Sequence, residues 1–167
     1  MLTTYRDSSS SPRSRNSSEL PSEVIWIDLL NSTDDEKLFV ENRTDVHIPS
    51  IEALSEIESS SRLIVERGVM YLSTPVVAQG DTADPFISPA GFILSSTLLV
   101  TVRFAELSTF QAVAENISRD ESLRSSTGVF TALMEALVDR GADVLDRSHS
   151  TTNCISAIHF ALWFCTA

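Results

Sequence analysis

Two β-rich runs, SRLIVE and VMYLSTPVV, meet at Arg67-Gly68, and chains joined in that way have little choice but an antiparallel hairpin. An isolated hairpin is marginal in water, so further strands must flank it. Three candidates are present: VIWIDL at 24–29, whose unbroken apolar content suits a buried strand, and GFILSS with LLVTVRF, which form a second pair. Between and after these runs the periodicity turns helical. The expectation is therefore an α/β domain, a mixed β-sheet flanked by helices.

Thr33-Asp34-Asp35-Glu36 has the spacing of a capping box, with acids where the helix dipole favours them. Leu38 and Phe39 supply the apolar face of this helix, which should end near Asn42. DVHIPS is a connector, and Ser50 caps a helix from Ile51 to about Ile57, with Ile51, Leu54 and Ile57 recurring on one side. QGDTADP is a loop, and a helix runs from about Ser108 to Ile117. The last regular element starts with Thr127 as its cap. Val129, Leu133 and Leu137 repeat at four-residue spacing towards Val144 and Leu145, while Glu135, Asp139 and Asp143 form a second stripe. Like charges at that spacing destabilise a helix by a few tenths of a kcal/mol per pair. Arg140 and Arg147, a metal ion or a basic partner would relieve them. Gly141 inside the helix costs about 1 kcal/mol relative to alanine.

A chain of 167 residues suits one domain with its own core. Residues 1–20, rich in Ser and Arg and poor in apolar side chains, read as a disordered tail. The α/β domain then occupies 21–126 and the start of the long helix 127–147. Acids outnumber bases 23 to 12, for a net charge of −11. That charge repels phosphate backbones and anionic lipid, so nucleic acid is excluded as a partner. Cations, basic partners or solubility alone remain. With two cysteines, no apolar leader and no run of about 20 apolar residues, a cytoplasmic location is expected. Residues 148–167, SHSTTNCISAIHFALWFCTA, carry no acid or base, a change so abrupt that they read as an atypical tail left by a frameshift or truncation.

Catalytic chemistry finds no support. Cys154, His159 and Cys165 offer three zinc ligands, but at unusual spacing and without a fourth. His47 has no nearby cysteine and suits packing or capping. Ser59 to Ser61 lack a paired base, and no Gly-rich phosphate loop is present. The chain does not read as an enzyme.

The order of these segments resembles the amino-terminal cytoplasmic domain of the CorA family of magnesium and divalent-cation transporters. IWIDLLNSTDDEKLFV is similar to that family's first strand and helix, and HIPSIEALSEIESSSRLIVERGVMYLSTPVV to its connector, helix and hairpin. GFILSSTLLVTVR resembles the next strand pair, and GVFTALMEALVDRGADVLDR the start of the stalk helix, so the likeness covers 24–147. It implies a homopentamer in the inner or plasma membrane whose α/β cytoplasmic funnel binds regulatory Mg2+ between subunits and releases the pore when cytosolic magnesium falls. By that resemblance Glu56 and Glu135 are the metal candidates, while Ser55 stands where some relatives carry a second acid. A hydrated Mg2+, which takes only one or two carboxylates, suits such half-sites. Asp139 and Asp143 remain a solvated stripe. The family's Gly-Met-Asn pore loop and its two spans are absent from the sequence, so the chain as written is not expected to transport. Its expected partners are further copies or full-length transporter subunits, with membrane contact only through the missing transmembrane part. The alternative is a stand-alone domain that binds divalent ions or associates with subunits. The choice among magnesium, cobalt and zinc stays open.

Overall fold

Seven strands form one sheet in the computed structural model, which describes residues 1–6, 13–14, 23–55, 62–78 and 85–149. In chain order the strands are β1 (Leu2–Arg6), β2 (Arg13–Ser14), β3 (Val24–Leu30), β4 (Leu63–Glu66), β5 (Val69–Ala78), β6 (Phe86–Leu94) and β7 (Leu99–Arg103). The helices are α1 (Asp34–Thr44), α2 (Ile51–Ser55), α3 (Ser108–Asn116) and α4 (Ser126–His149), with a 3-10 turn at Glu121–Leu123. Strand order is β2-β1-β3-β7-β6-β5-β4. Only β3 and β7 run parallel; every other pairing is antiparallel, so the sheet is mixed, as expected.

Helices cover both faces of the sheet. Ile27, Leu29, Ile93, Val100 and Val102 point to one side, where they pack with Val40 of α1 and Leu54 of α2. On the other side Trp26, Phe92, Ala90 and Leu99 meet Phe110 and Val113 of α3 and Val129 and Leu133 of α4. Double coverage explains why β3 reads as a continuous apolar run rather than an alternating one. The long helix starts a residue before Thr127. Its cap is Ser125, whose hydroxyl oxygen accepts the Gly128 N–H at 3.0 Å.

The hairpin at Arg67-Gly68 forms with φ of 50° and 81° at its two turn residues, the left-handed pair that suits the twist of its strands. Two prolines sit within strands without breaking them. Ser73 N–H bonds to Arg62 O on the β4 side, so Pro75, two residues on, stands where its missing N–H would have faced outward. Pro89 lies one residue beyond the last β6–β7 pair, Ala90 with Arg103.

Three expectations are corrected. Residues 2–6 are not a structureless tail: Leu2–Arg6 pairs with β3, with Leu2 buried and Tyr5 stacked on Trp26 at 4.3 Å, so a few well-placed apolar side chains outweigh a poor local composition. In α1 the buried residues are Glu36 and Val40; Phe39 packs against the core as expected, while Leu38 is 55% exposed. In α2, described over Ile51–Ser55, Leu54 is the buried residue and Ile51 is exposed, while Ile57 lies outside the described residues.

Candidate functional site

The two acids singled out by the resemblance have different fates. Glu56 lies outside the described residues, as do Ser59 to Ser61, Cys154, His159 and Cys165. Glu135 lies on α4, two residues along from the buried Leu133 and so turned to the other side of the helix, and is exposed together with Asp139 and Asp143. Glu135 and Asp139 are one turn apart and open to solvent. An exposed carboxylate such as that of Glu135 is the donor type a hydrated magnesium ion takes. Among the described residues no group of three or more His, Cys, Asp or Glu is placed to hold a metal ion. Asp143 and Arg140 are both engaged in contacts of their own.

His47 is exposed, and its Nδ1 lies 2.9 Å from Glu41 Oε1, the same oxygen that accepts the Ile48 N–H at 2.7 Å. It thus ties the connector to α1 from the outside, a capping role without packing. A cleft of about 1040 Å³ opens beside it on the α1 face of the sheet. Buried Ile27, Ile93 and Val100 line its depth, and Arg43, Asp45, Glu66 and Arg67 its exposed parts. Charges of both signs alternate around it, which does not gather the acids a divalent cation requires.

The most elaborate polar cluster went unread in the sequence. Asp28, in the middle of β3, is only 3% exposed. Arg103, two residues along β7 from its partner position, donates from Nη2 to Asp28 Oδ2 at 2.8 Å and from Nε to Oδ1 at 3.1 Å. The Thr101 hydroxyl donates to Asp28 Oδ1 at 2.8 Å and accepts from Trp26 Nε1 at 2.9 Å. Arg103 also donates to Ala105 O at 2.9 Å and lies over the Phe110 ring, so it joins the parallel strand pair to α3. Every buried charge here has partners, which is the condition for tolerating it. Tyr5 closes the cluster from β1. Its phenol is pushed up to about 12, first by burial and next by the Asp28 carboxylate, with Arg103 acting the other way. An acid and a base, each alone in an otherwise apolar strand, were the available signal. The cluster holds elements together and exposes no reactive group.

Comparison with known proteins relates the fold to a family. The family model described as CorA-like Mg2+ transporter protein matches residues 21–157. That match runs into the stretch that reads as atypical from 148 onward. The magnesium transport protein CorA of Wolinella succinogenes is 25% identical over 136 residues, covering 78% of this chain and 42% of the relative. The chain therefore spans less than half the length of that relative. Among solved structures, the soluble domain of CorA from Methanocaldococcus jannaschii superposes with a TM-score of 0.68 at 13% identity, covering 90% of this chain and 60% of that one. The ZntB cytoplasmic domain from Vibrio parahaemolyticus gives 0.67 at 14% identity, covering 90% and 63%. At such identities the two structures speak for the fold, and the family match speaks for descent. No described helix is long and apolar enough to cross a membrane. With most of its length inside the family match, this chain belongs to the CorA-like Mg2+ transporter protein family, a family of transporters rather than of enzymes.

Proposed function

We propose that the chain is a cytosolic regulatory domain of a CorA-like divalent-cation transporter and carries no transport by itself. The observation that supports this reading most is the family match over residues 21–157, on a fold shared with the soluble domain of an archaeal CorA. In this reading Mg2+ is the regulatory ion. Glu135 on the exposed side of α4 and Glu56, next in sequence after Ser55, each supply a carboxylate, and copies of the chain or subunits of a full transporter complete the site. An ion shared between copies needs only one or two acids from each, which accords with the absence of a complete cluster among the described residues. The ion would supply charge neutralisation across the contact. Glu135 itself provides a carboxylate held on a long helix.

The test is a thermal-unfolding titration with MgCl2, set against NaCl at matched ionic strength. Binding to the folded state stabilises by about 2.7 kcal/mol at a hundredfold excess over Kd, worth roughly 2–4 °C per kcal/mol for a chain of this size. Magnesium should therefore raise Tm beyond the sodium control, and Glu56→Ala and Glu135→Ala should each reduce the excess. Superimposable sodium and magnesium curves would dismiss the regulatory role of both acids.

A further inference from the structure

Among the described residues the outer edge of β4 is open. This strand ends the sheet, and among the described residues nothing pairs on its far side. All four of its residues are exposed, with Leu63 at 57%, Ile64 at 42% and Val65 at 68%, values unusual for three consecutive aliphatic side chains. Glu66 pairs with Val69 across the hairpin turn, Ile64 with Tyr71, and Ser73 N–H bonds to Arg62 O. Arg62, Ile64 and Glu66 therefore direct their main-chain groups inward to β5, and Leu63 and Val65 direct theirs outward.

We infer that this edge pairs with the same edge of a second copy, antiparallel and about a two-fold axis at Ile64. The parity of the hydrogen bonds limits a symmetric pairing to centres at Leu63, Ile64 or Val65. A centre at Leu63 sets Arg62 opposite Ile64, and one at Val65 sets Leu63 against the turn residue Arg67. Only the centre at Ile64 places Leu63 opposite Val65 of the second copy, with both sets of outward main-chain groups bonded. The same register places Arg62 opposite Glu66 twice, in the close non-hydrogen-bonded positions where opposite charges attract. The segment Arg62-Leu63-Ile64-Val65-Glu66 is thus complementary to itself in charge, and the backbone selects the same register independently. Such an isologous contact closes on itself as a dimer and cannot propagate around a ring, so it is distinct from any cyclic assembly of the family. Two short strands bury less than the roughly 800 Å² per partner of a tight complex, so the dimer is concentration-dependent.

Sedimentation velocity of the full chain over about 5–500 µM is the test, a range suited to weak association. The mass should rise towards that of a doubled species with concentration. Val65→Pro removes an outward N–H that β5 does not use, and should lower the association constant at least about tenfold while far-UV circular dichroism is unchanged. Arg62→Glu and Glu66→Arg should each weaken self-association alone, and an equimolar mixture of the two should restore it. A single species across the series, or a concentration-dependent one that Val65→Pro leaves intact, would overturn the proposal. Failure of the mixture to associate would also overturn it, since the charge register would then be wrong.

Discussion

At the scale of single residues, the best-determined part of the molecule is the cluster around Asp28. The Asp28–Arg103 pair is nearly dry, and removing one partner of such a pair generally costs about 3–5 kcal/mol because the other charge stays buried. Tyr5 shows how far the cluster reaches, since it carries the burial of the core out to β1. Its phenol ionises near 10 in the unfolded chain and near 12 in the fold. The folded state thus holds the proton more tightly, so the contribution of Tyr5 is fully present below pH 10 and is lost as pH rises from 10 to 12. Denaturation midpoints across that window should fall for the wild type and fall less for Tyr5→Phe. Equal slopes would show that the ring stacks on Trp26 without its hydroxyl being desolvated.

At the scale of elements, close approach of a neighbouring side chain in one case and of backbone in the other decides two glycine positions in opposite ways. A Cβ at Gly91 would come within 2.8 Å of the Leu54 side-chain tip, which can swing aside. A Cβ at Gly128 would overlap the backbone carbonyl of Ser122, and moving that carbonyl means moving the 3-10 turn off the first turn of α4. Gly128→Ala should therefore destabilise by about 1–3 kcal/mol despite the better helix propensity of alanine, read as a lower urea midpoint. Gly91→Ala should cost clearly less. Elements whose signals are local were legible in the sequence: the Thr33–Glu36 box forms in both directions, and the Arg67-Gly68 turn forms as expected. The phase of α1 was not legible, because Leu38 and Val40 compete as apolar anchors and tertiary contacts alone choose. Glu36 turns inward since its carboxylate accepts both the Thr33 N–H and the Met1 amino group. The strand at 2–6 was hidden for a similar reason, its stability coming from a partner strand, β3, that is distant in sequence. The candidate ion site was legible only through the family likeness. An exposed acid such as Glu135 carries no local mark that separates ligand from solvated surface, and Glu56 lies outside the described residues.

At the scale of the whole molecule, charge is the dominant unbalanced quantity. Acids exceed bases by eleven, and many of the acids, including Asp34, Asp35, Glu115, Glu135 and Asp139, are exposed. Surface ion pairs such as Lys37–Asp34 and Arg124–Glu121 offset little of this, for pairs of that kind are worth about 0–1 kcal/mol each. Self-repulsion among the remaining acids should then destabilise the compact state, and salt should relieve it by screening over about 10 Å at 0.1 M. Raising NaCl from about 20 to 300 mM should lift Tm by about 2–4 °C, equivalent to about 1 kcal/mol. A fall in Tm would mean instead that the surface pairs outweigh the repulsion, and that the acids are better compensated than their number implies. This monovalent response also sets the baseline for magnesium. A divalent ion screens more strongly than sodium even without a site, so only an excess at matched ionic strength that Glu135→Ala removes belongs to a carboxylate on α4.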